Sequence, residues 1–224
     1  MSEWWTYSLS DFLLFSPRTY DRLLELYNLA LWPLQVVTTC AGVAVIAMLS
    51  RGAVPNRIAT VLLGVCWAWV AWAFHLERYA QINWAASWFA TGFAVEAGLL
   101  LAVGLFAGGL PLRDERSLSR FALLLALILV VAYPLLAPLT GRRWAAAEVF
   151  GTAPDPTALA TLVLVMQVRG ARRWILAAVP FAWCAIGAAT LVAMESPQAY
   201  VVAALTLLAL VLPLTARRAT PRAR

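Results

Sequence analysis

The chain has 224 residues, of which 63% are hydrophobic and 12% are charged. Soluble globular proteins carry about 25% charged residues, and disordered chains have low hydrophobicity, so the composition excludes both classes. All 17 basic residues are arginine, and the absence of lysine excludes a lysine Schiff base and a phosphate-loop lysine. The single histidine excludes bis-histidine haem ligation and a three-histidine zinc site within this chain.

The first predicted element is an amphipathic helix within an N-terminal segment, residues 1–26. Ser16-Pro17 is typical of a helix start, with serine as the N-cap and proline at the first helical position. Apolar side chains then recur at helical spacing, and charged side chains occupy the other faces. The sequence therefore predicts a helix that lies on the membrane surface.

Long uncharged runs follow and predict an all-α bundle of about seven transmembrane helices over residues 27–216, because each span needs roughly 20 apolar residues. The predicted spans cover residues 26–50, 58–76, 84–106, 121–140, 156–168, 174–194 and 198–215. We expect Trp32-Pro33 to kink or start the first span, and Pro134 and Pro138 to interrupt the fourth.

The fifth segment, residues 156–168, is shorter than the others. Its helical length is about 20 Å, whereas the hydrocarbon core of a bilayer is about 30 Å thick. It is either a complete span with an irregular outer third or a re-entrant segment buried in the bundle. The first alternative gives seven spans, and the second gives six.

The distribution of arginines predicts the orientation in a bacterial inner membrane. Most arginines fall in loops on one side and in the basic tail, residues 217–224, which places the C-terminus in the cytoplasm. With seven spans the N-terminus lies outside, and with six spans it lies inside. The arginines stand in short loops between apolar runs, so we expect no nucleic-acid partner.

Three groups of residues resemble signatures of a family of small bacterial multi-pass membrane proteins of unknown function. The groups are Trp72-Ala73-Phe74-His75 with Tyr79 and Ile82-Asn83, then Tyr133-Pro134 with Gly141, and finally Phe150-Gly151 with Pro154-Asp155-Pro156-Thr157. Members of this family often carry cysteine at the position of Asp155 and proline at the position of Trp84. The resemblance implies a membrane bundle, and the label of permease given to some members is only an analogy.

Glu96 is the first candidate site residue, because an ionised carboxylate inside a predicted span is costly unless it is paired or protonated. It is either a proton, cation or substrate site, or a protonated acid bonded to a backbone carbonyl. Trp84, Trp88, Gly92 and Glu96 recur every four residues, so we expect them to share one helix face.

The remaining candidates are predicted to meet at the outer level of the bundle. They are His75, Glu77, Asn83, Tyr133, Arg142, Arg143, Glu148 and Asp155. We expect them, with Glu96 as the floor and tryptophans as walls, to form an outward-open polar pocket in which Arg142 or Arg143 pairs with Glu148 or Asp155. The alternative is that they lie separately at the headgroup level, with Asp155 as a helix N-cap and Pro156 at the first helical position.

These observations favour a transport or small-molecule or ion-binding protein. The alternative is a non-catalytic subunit or assembly partner of a larger membrane complex. No nucleophile–base pair, metal motif or nucleotide loop is visible in the sequence, so we expect no catalytic residue, no metal site and no cofactor. The expected partners are the lipid bilayer, a small molecule or ion, and a second copy or another membrane subunit. Gly104 and Gly108 form a small-xxx-small pair that suits close helix packing or dimerisation.

Overall fold

The structure is a computed structural model that describes residues 15–49, 51–112 and 120–215. The predicted basic tail and most of the predicted N-terminal segment lie outside these residues. The described residues form helices and short connections, with one isolated β-bridge between Leu112 and Val168. The all-α prediction is therefore confirmed.

Nine α-helices follow one another in the described ranges. They are α1 (Pro17–Leu31), α2 (Leu34–Leu49), α3 (Ala53–Trp69), α4 (Ala86–Phe106), α5 (Arg120–Val131), α6 (Leu136–Leu139), α7 (Pro154–Val165), α8 (Arg172–Ala193) and α9 (Gln198–Thr215). A π-helix (Val70–Leu76) and a 3-10 turn (Tyr79–Gln81) extend α3, and two further 3-10 turns are Tyr133–Leu135 and Trp144–Ala146.

The first helix starts as the sequence predicts. The hydroxyl of Ser16 accepts a hydrogen bond from the backbone N–H of Thr19 at 3.2 Å, and Pro17 opens the helix. The chain turns by 87° between α1 and α2, at the cis peptide bond that joins Trp32 to Pro33. The expected kink at Trp32-Pro33 is confirmed, and α1 runs nearly perpendicular to α2.

Among the described residues, fewer helices than the seven predicted are able to cross a membrane. Three are long and apolar enough: α3 with its extension to Gln81, α4 and α8. Two bent pairs, α1 with α2 and α5 with Tyr133–Leu139, raise the number to five if each pair counts as one span. The second pair bends by 52° beside Pro134, as expected. The number falls short because prolines divide two segments and because the apolar helices Pro154–Val165 and Gln198–Val211 are shorter than a span.

The short helix α7 occupies the centre of the bundle. All of its residues are buried, and it packs mainly against α5, α8 and α9. The irregular segment before it, residues 147–153, is also buried, and its backbone is bonded within the protein. Tyr27 donates its hydroxyl proton to the carbonyl of Thr152 at 3.0 Å, and Asn28 donates to the carbonyl of Ala147 at 2.8 Å. Irregular backbone at such depth is stable because the protein supplies these partners.

The α3–α4 contact depends on glycine. A Cβ atom added at Gly104 would lie 2.7 Å from Cγ2 of Val61 and 3.0 Å from its backbone nitrogen. The two backbones therefore approach more closely than any larger residue allows. In this structure Gly104 serves packing between two helices of the same chain.

Candidate functional site

A cluster of buried and half-buried polar side chains joins the irregular segment before α7 to the helices and turns around it. We call it the polar network, and its members are Tyr20, Tyr133, Arg142, Glu148, Asp155, Trp183 and Gln198. They come from α1, the turn after α5, the loop after α6, the segment leading into α7, the first turn of α7, α8 and the first residue of α9. The central position of α7 brings these distant parts of the sequence together.

Glu148 accepts hydrogen bonds on both carboxylate oxygens. The hydroxyl of Tyr20 donates to Oε1 at 3.1 Å, and Nε2 of Gln198 donates to Oε2 at 2.8 Å. Nη1 of Arg142 lies 3.5 Å from Oε2, and the Glu148 side chain is only 1% exposed. A buried ionised carboxylate requires such donors, because it has lost its contact with water.

Arg142 is the cation of the polar network. Its Nε donates to Oδ1 of Asp21 at 2.7 Å, and its Nη1 donates to Oε1 of Gln198 at 2.9 Å. Burial lowers the pKa of Arg142, but Glu148, Tyr20 and Asp21 raise this pKa by more, so the guanidinium stays charged. The predicted ion pair of Arg142 or Arg143 with Glu148 or Asp155 is confirmed for Arg142 and Glu148.

Asp155 is the second buried carboxylate. Its Oδ1 accepts a hydrogen bond from Nε1 of Trp183 at 2.7 Å. No ion pair within the described ranges includes Asp155. The N-cap interpretation of Asp155 is wrong, because α7 begins one residue earlier, at Pro154, and Ala153 is the N-cap.

Gln198 connects Glu148 to Tyr133. Its Nε2 donates to Oε2 of Glu148 at 2.8 Å and to the hydroxyl oxygen of Tyr133 at 3.1 Å. Its Oε1 accepts from Arg142, so the hydrogen bonds run from the loop after α6 to the turn after α5. Hydrogen-bonded groups in such a buried chain polarise one another.

A narrow crevice reaches Asp155 from the end of α8. Its cavity volume is about 20 Å³, and Tyr20, Tyr79, Gly187 and Met194 are among the residues that line it beside Asp155. A cavity of this size accommodates about one water molecule. Gly187 keeps the crevice open, because a Cβ atom there would lie 3.0 Å from Oδ1 of Asp155.

His75 lies in the π-helix that extends α3 and is completely buried. Its ring centroid is 4.5 Å from that of Phe93 and 4.9 Å from that of Trp183, so it contacts the residue that bonds to Asp155. Neither ring nitrogen has a hydrogen-bond partner among the described residues. π-Helical turns occur frequently at functional sites.

The structure places three other candidates outside the polar network. Glu77 is exposed, and its described hydrogen bonds are formed by its backbone, with Trp72 and Gln81. Oδ1 of Asn83 accepts from the backbone N–H of Ala85 at 2.9 Å, just before α4. Arg143 is 81% exposed and lies 3.4 Å from Oε1 of Glu25.

The polar network is packed closely and does not surround a wide polar opening. A larger cavity of about 520 Å³ lies elsewhere, between α1, α2 and residues 144–149, and most of its lining is apolar. Trp84 and Trp88 are more than 70% exposed, whereas Glu96 is buried, so these residues do not share one face. The tryptophan at the polar network is Trp183.

Glu96 has no hydrogen-bond partner on either carboxylate oxygen within the described ranges. We expect Glu96→Leu to raise the free energy of unfolding by about 1–3 kcal/mol, because an unsatisfied buried polar group is removed. Glu96→Gln keeps the polar group and gives little gain. Chemical unfolding in detergent micelles measures both changes, with the half-exposed Val95→Leu as the control. Destabilisation by leucine would show that the carboxyl group has a favourable partner.

Sequence reasoning did not identify Tyr20, Trp183 and Gln198. In the sequence Tyr20 stands among the apolar residues of the amphipathic helix, and Trp183 lies within a long apolar run. Gln198 is the sequence feature that could have revealed the site, because it is a polar residue at the start of a predicted span. No group of three or more histidine, cysteine or acidic residues in the described part of the chain is arranged to hold a metal ion.

Comparison with known proteins yields one family. The family, described as a family of unknown function (DUF6064), matches residues 19–224, which is most of the chain. No curated protein and no solved structure matches the chain.

Proposed function

Because the chain belongs to this family of unknown function, we propose a function from its own geometry: a transport or ion-binding protein whose ligand is a proton or a small cation, held at Asp155. We place it in the bacterial inner membrane with the C-terminus in the cytoplasm. Three to five helices are apolar enough to span a bilayer. Most arginines fall on one predicted side of the membrane. Both observations support this placement.

The charge balance of the polar network carries the proposal. Glu148 and Asp155 are both buried. Within the described ranges Arg142 forms an ion pair with Glu148, and no ion pair includes Asp155. Arg142 is also bonded to Asp21, so Asp21 and Glu148 share its single positive charge. This charge does not compensate Asp155 as well. A buried carboxylate without a cation costs several kcal/mol. A proton or a small cation at Asp155 removes this cost.

The size of the crevice favours a small ligand. Its volume of about 20 Å³ admits a water molecule or an ion and excludes an organic substrate. The hydroxyl groups of Tyr20 and Tyr79 and the carboxylate of Asp155 are oxygen groups on its lining residues. Oxygen atoms are the preferred ligands of hard cations. Hydroxyl groups also relay protons between water and a carboxylate.

Asp155→Asn tests the proposal. The fluorescence of Trp183 is the local reporter, because Nε1 of Trp183 bonds directly to Asp155. We expect the fluorescence of the purified protein to change as the pH or the sodium concentration is varied, and we expect Trp183→Phe to remove this change. Asp155→Asn should also abolish it, because the asparagine side chain neither titrates nor carries a charge. The choline salt at equal ionic strength serves as the sodium control.

Glu77→Gln is the matched variant, because Glu77 is an exposed carboxylate just after the π-helix that holds His75. Its response should equal that of the unaltered protein. A response to pH but not to sodium identifies the proton as the ligand. An unchanged response in Asp155→Asn, or no response of Trp183 to either ligand, would contradict the proposal.

A further inference from the structure

A further recess, distinct from the crevice at Asp155 and from the large apolar cavity, is lined by arginines and lies apart from the polar network. It lies between α1 and the 3-10 turn that follows the π-helix, and we call it the arginine groove. Its cavity volume is about 430 Å³, and its lining includes Arg18, Arg22, Leu23, Leu26, Arg78 and Ile82. The three arginines come from two separate elements and line the same recess.

The charges of the arginine groove are only partly compensated. Arg22 forms an ion pair with Glu25 at 3.0 Å, and Glu25 is shared with Arg143. Arg18 and Arg78 take part in none of the ion pairs of the described ranges. Glu77, next to Arg78 in the sequence, is exposed and does not line the groove. The groove therefore has a positive charge that suits an anion.

The position of Arg18 supports the same conclusion. The first turn of α1 contains no acidic residue, and Arg18 lies in it. A cation at a helix N-terminus is unfavourable, because the peptide dipoles already place partial positive charge there. An anion bound in the groove would interact favourably with Arg18, with Arg78 and with the end of the helix.

The other side of the groove is apolar. Leu23, Leu26 and Ile82 line it beside the arginines, so the recess combines a cationic part with a hydrocarbon part. The helix α1 runs nearly perpendicular to α2, as expected for a helix at the membrane surface next to a span. A ligand that fits has an anionic head and an aliphatic tail.

We propose that the arginine groove binds the headgroup of an anionic phospholipid, with the phosphate at the arginines and the start of an acyl chain against the three apolar side chains. This inference rests on the proposed membrane location and is independent of the ligand at Asp155. Its test and the fluorescence test above can therefore fail separately.

Native mass spectrometry of the full-length protein tests the inference. The protein is offered equal amounts of phosphatidylglycerol and phosphatidylcholine in detergent. We expect retention of phosphatidylglycerol, weakening as the ammonium acetate concentration rises. Arg18→Gln combined with Arg78→Gln should lower this retention by about fivefold for each arginine removed. This double variant should unfold at the same temperature as the unaltered protein, because Arg18 is exposed and Arg78 takes part in no ion pair of the described ranges.

Arg143→Gln is the matched control, since this arginine is 81% exposed and does not line the groove. Its lipid retention should stay unchanged. Equal retention of the two lipids would overturn the inference, and so would an equal loss in the Arg143 variant. Displacement of the lipid by millimolar glycerol phosphate would show that the groove binds a soluble phosphate.

Discussion

Arg142→Leu is expected to lower the free energy of unfolding by about 3–5 kcal/mol, because it leaves the buried carboxylate of Glu148 without a cation. The guanidinium also donates to Asp21 at 2.7 Å, to Gln198 at 2.9 Å and to the carbonyl of Ala146 at 3.2 Å. Leucine satisfies none of these acceptors. Unfolding in mixed micelles, followed by circular dichroism, measures the loss.

The neighbouring arginine provides the control. Arg143 is 81% exposed, so Arg143→Leu should change the free energy of unfolding by no more than about 0.5 kcal/mol. Adding Glu148→Gln to Arg142→Leu should recover part of the loss, because the unpaired charge is removed. Equal losses for the two arginines, or no recovery in the double variant, would show that the ion pair does not stabilise the fold.

Gly187→Leu is expected to abolish the response of Trp183 to protons or sodium. The first atom of any side chain at this position would lie 3.0 Å from Oδ1 of Asp155, and the rest of a leucine would fill the crevice of about 20 Å³. Overpacking also lowers the free energy of unfolding by about 1–3 kcal/mol. Fluorescence titration and chemical unfolding of the same sample separate the two effects.

Gly98→Leu is the matched substitution, because Gly98 lies within α4 and a Cβ atom there meets nothing within 4 Å. It should leave both the titration and the stability unchanged or slightly improved, since leucine favours helix more than glycine does. Gly187→Ala should give a partial loss of the response. A full response in Gly187→Leu would show that ligands reach Asp155 by another route.

The sequence predicts the features that depend on local chemistry. The start of α1 at Ser16-Pro17, the kink at Trp32-Pro33 and the break beside Pro134 are all confirmed. Each follows from proline geometry or from capping. The ion pair of Arg142 with Glu148 is also predictable, because both residues lie in one short connection.

The sequence does not predict which distant side chains complete the site. Trp183 and Gln198 reach the polar network only because α7 packs against α8 and α9. The periodic pattern that linked Trp88 to Glu96 fails for a geometric reason. Each four-residue step leaves a side chain about 40° further round the helix, so two steps separate the pair by about 80°.

The complete burial of α7 has a consequence for biogenesis. A helix of 12 residues with an irregular approach is too short to enter a bilayer and remain there alone. Its partners α8 and α9 are synthesised after it. The ribosome therefore delivers the central helix when α5 is present but α8 and α9 are still missing, and the polar network can close only when the C-terminal hairpin has been inserted. Truncation before α8 should leave a nascent chain that quality-control proteases degrade.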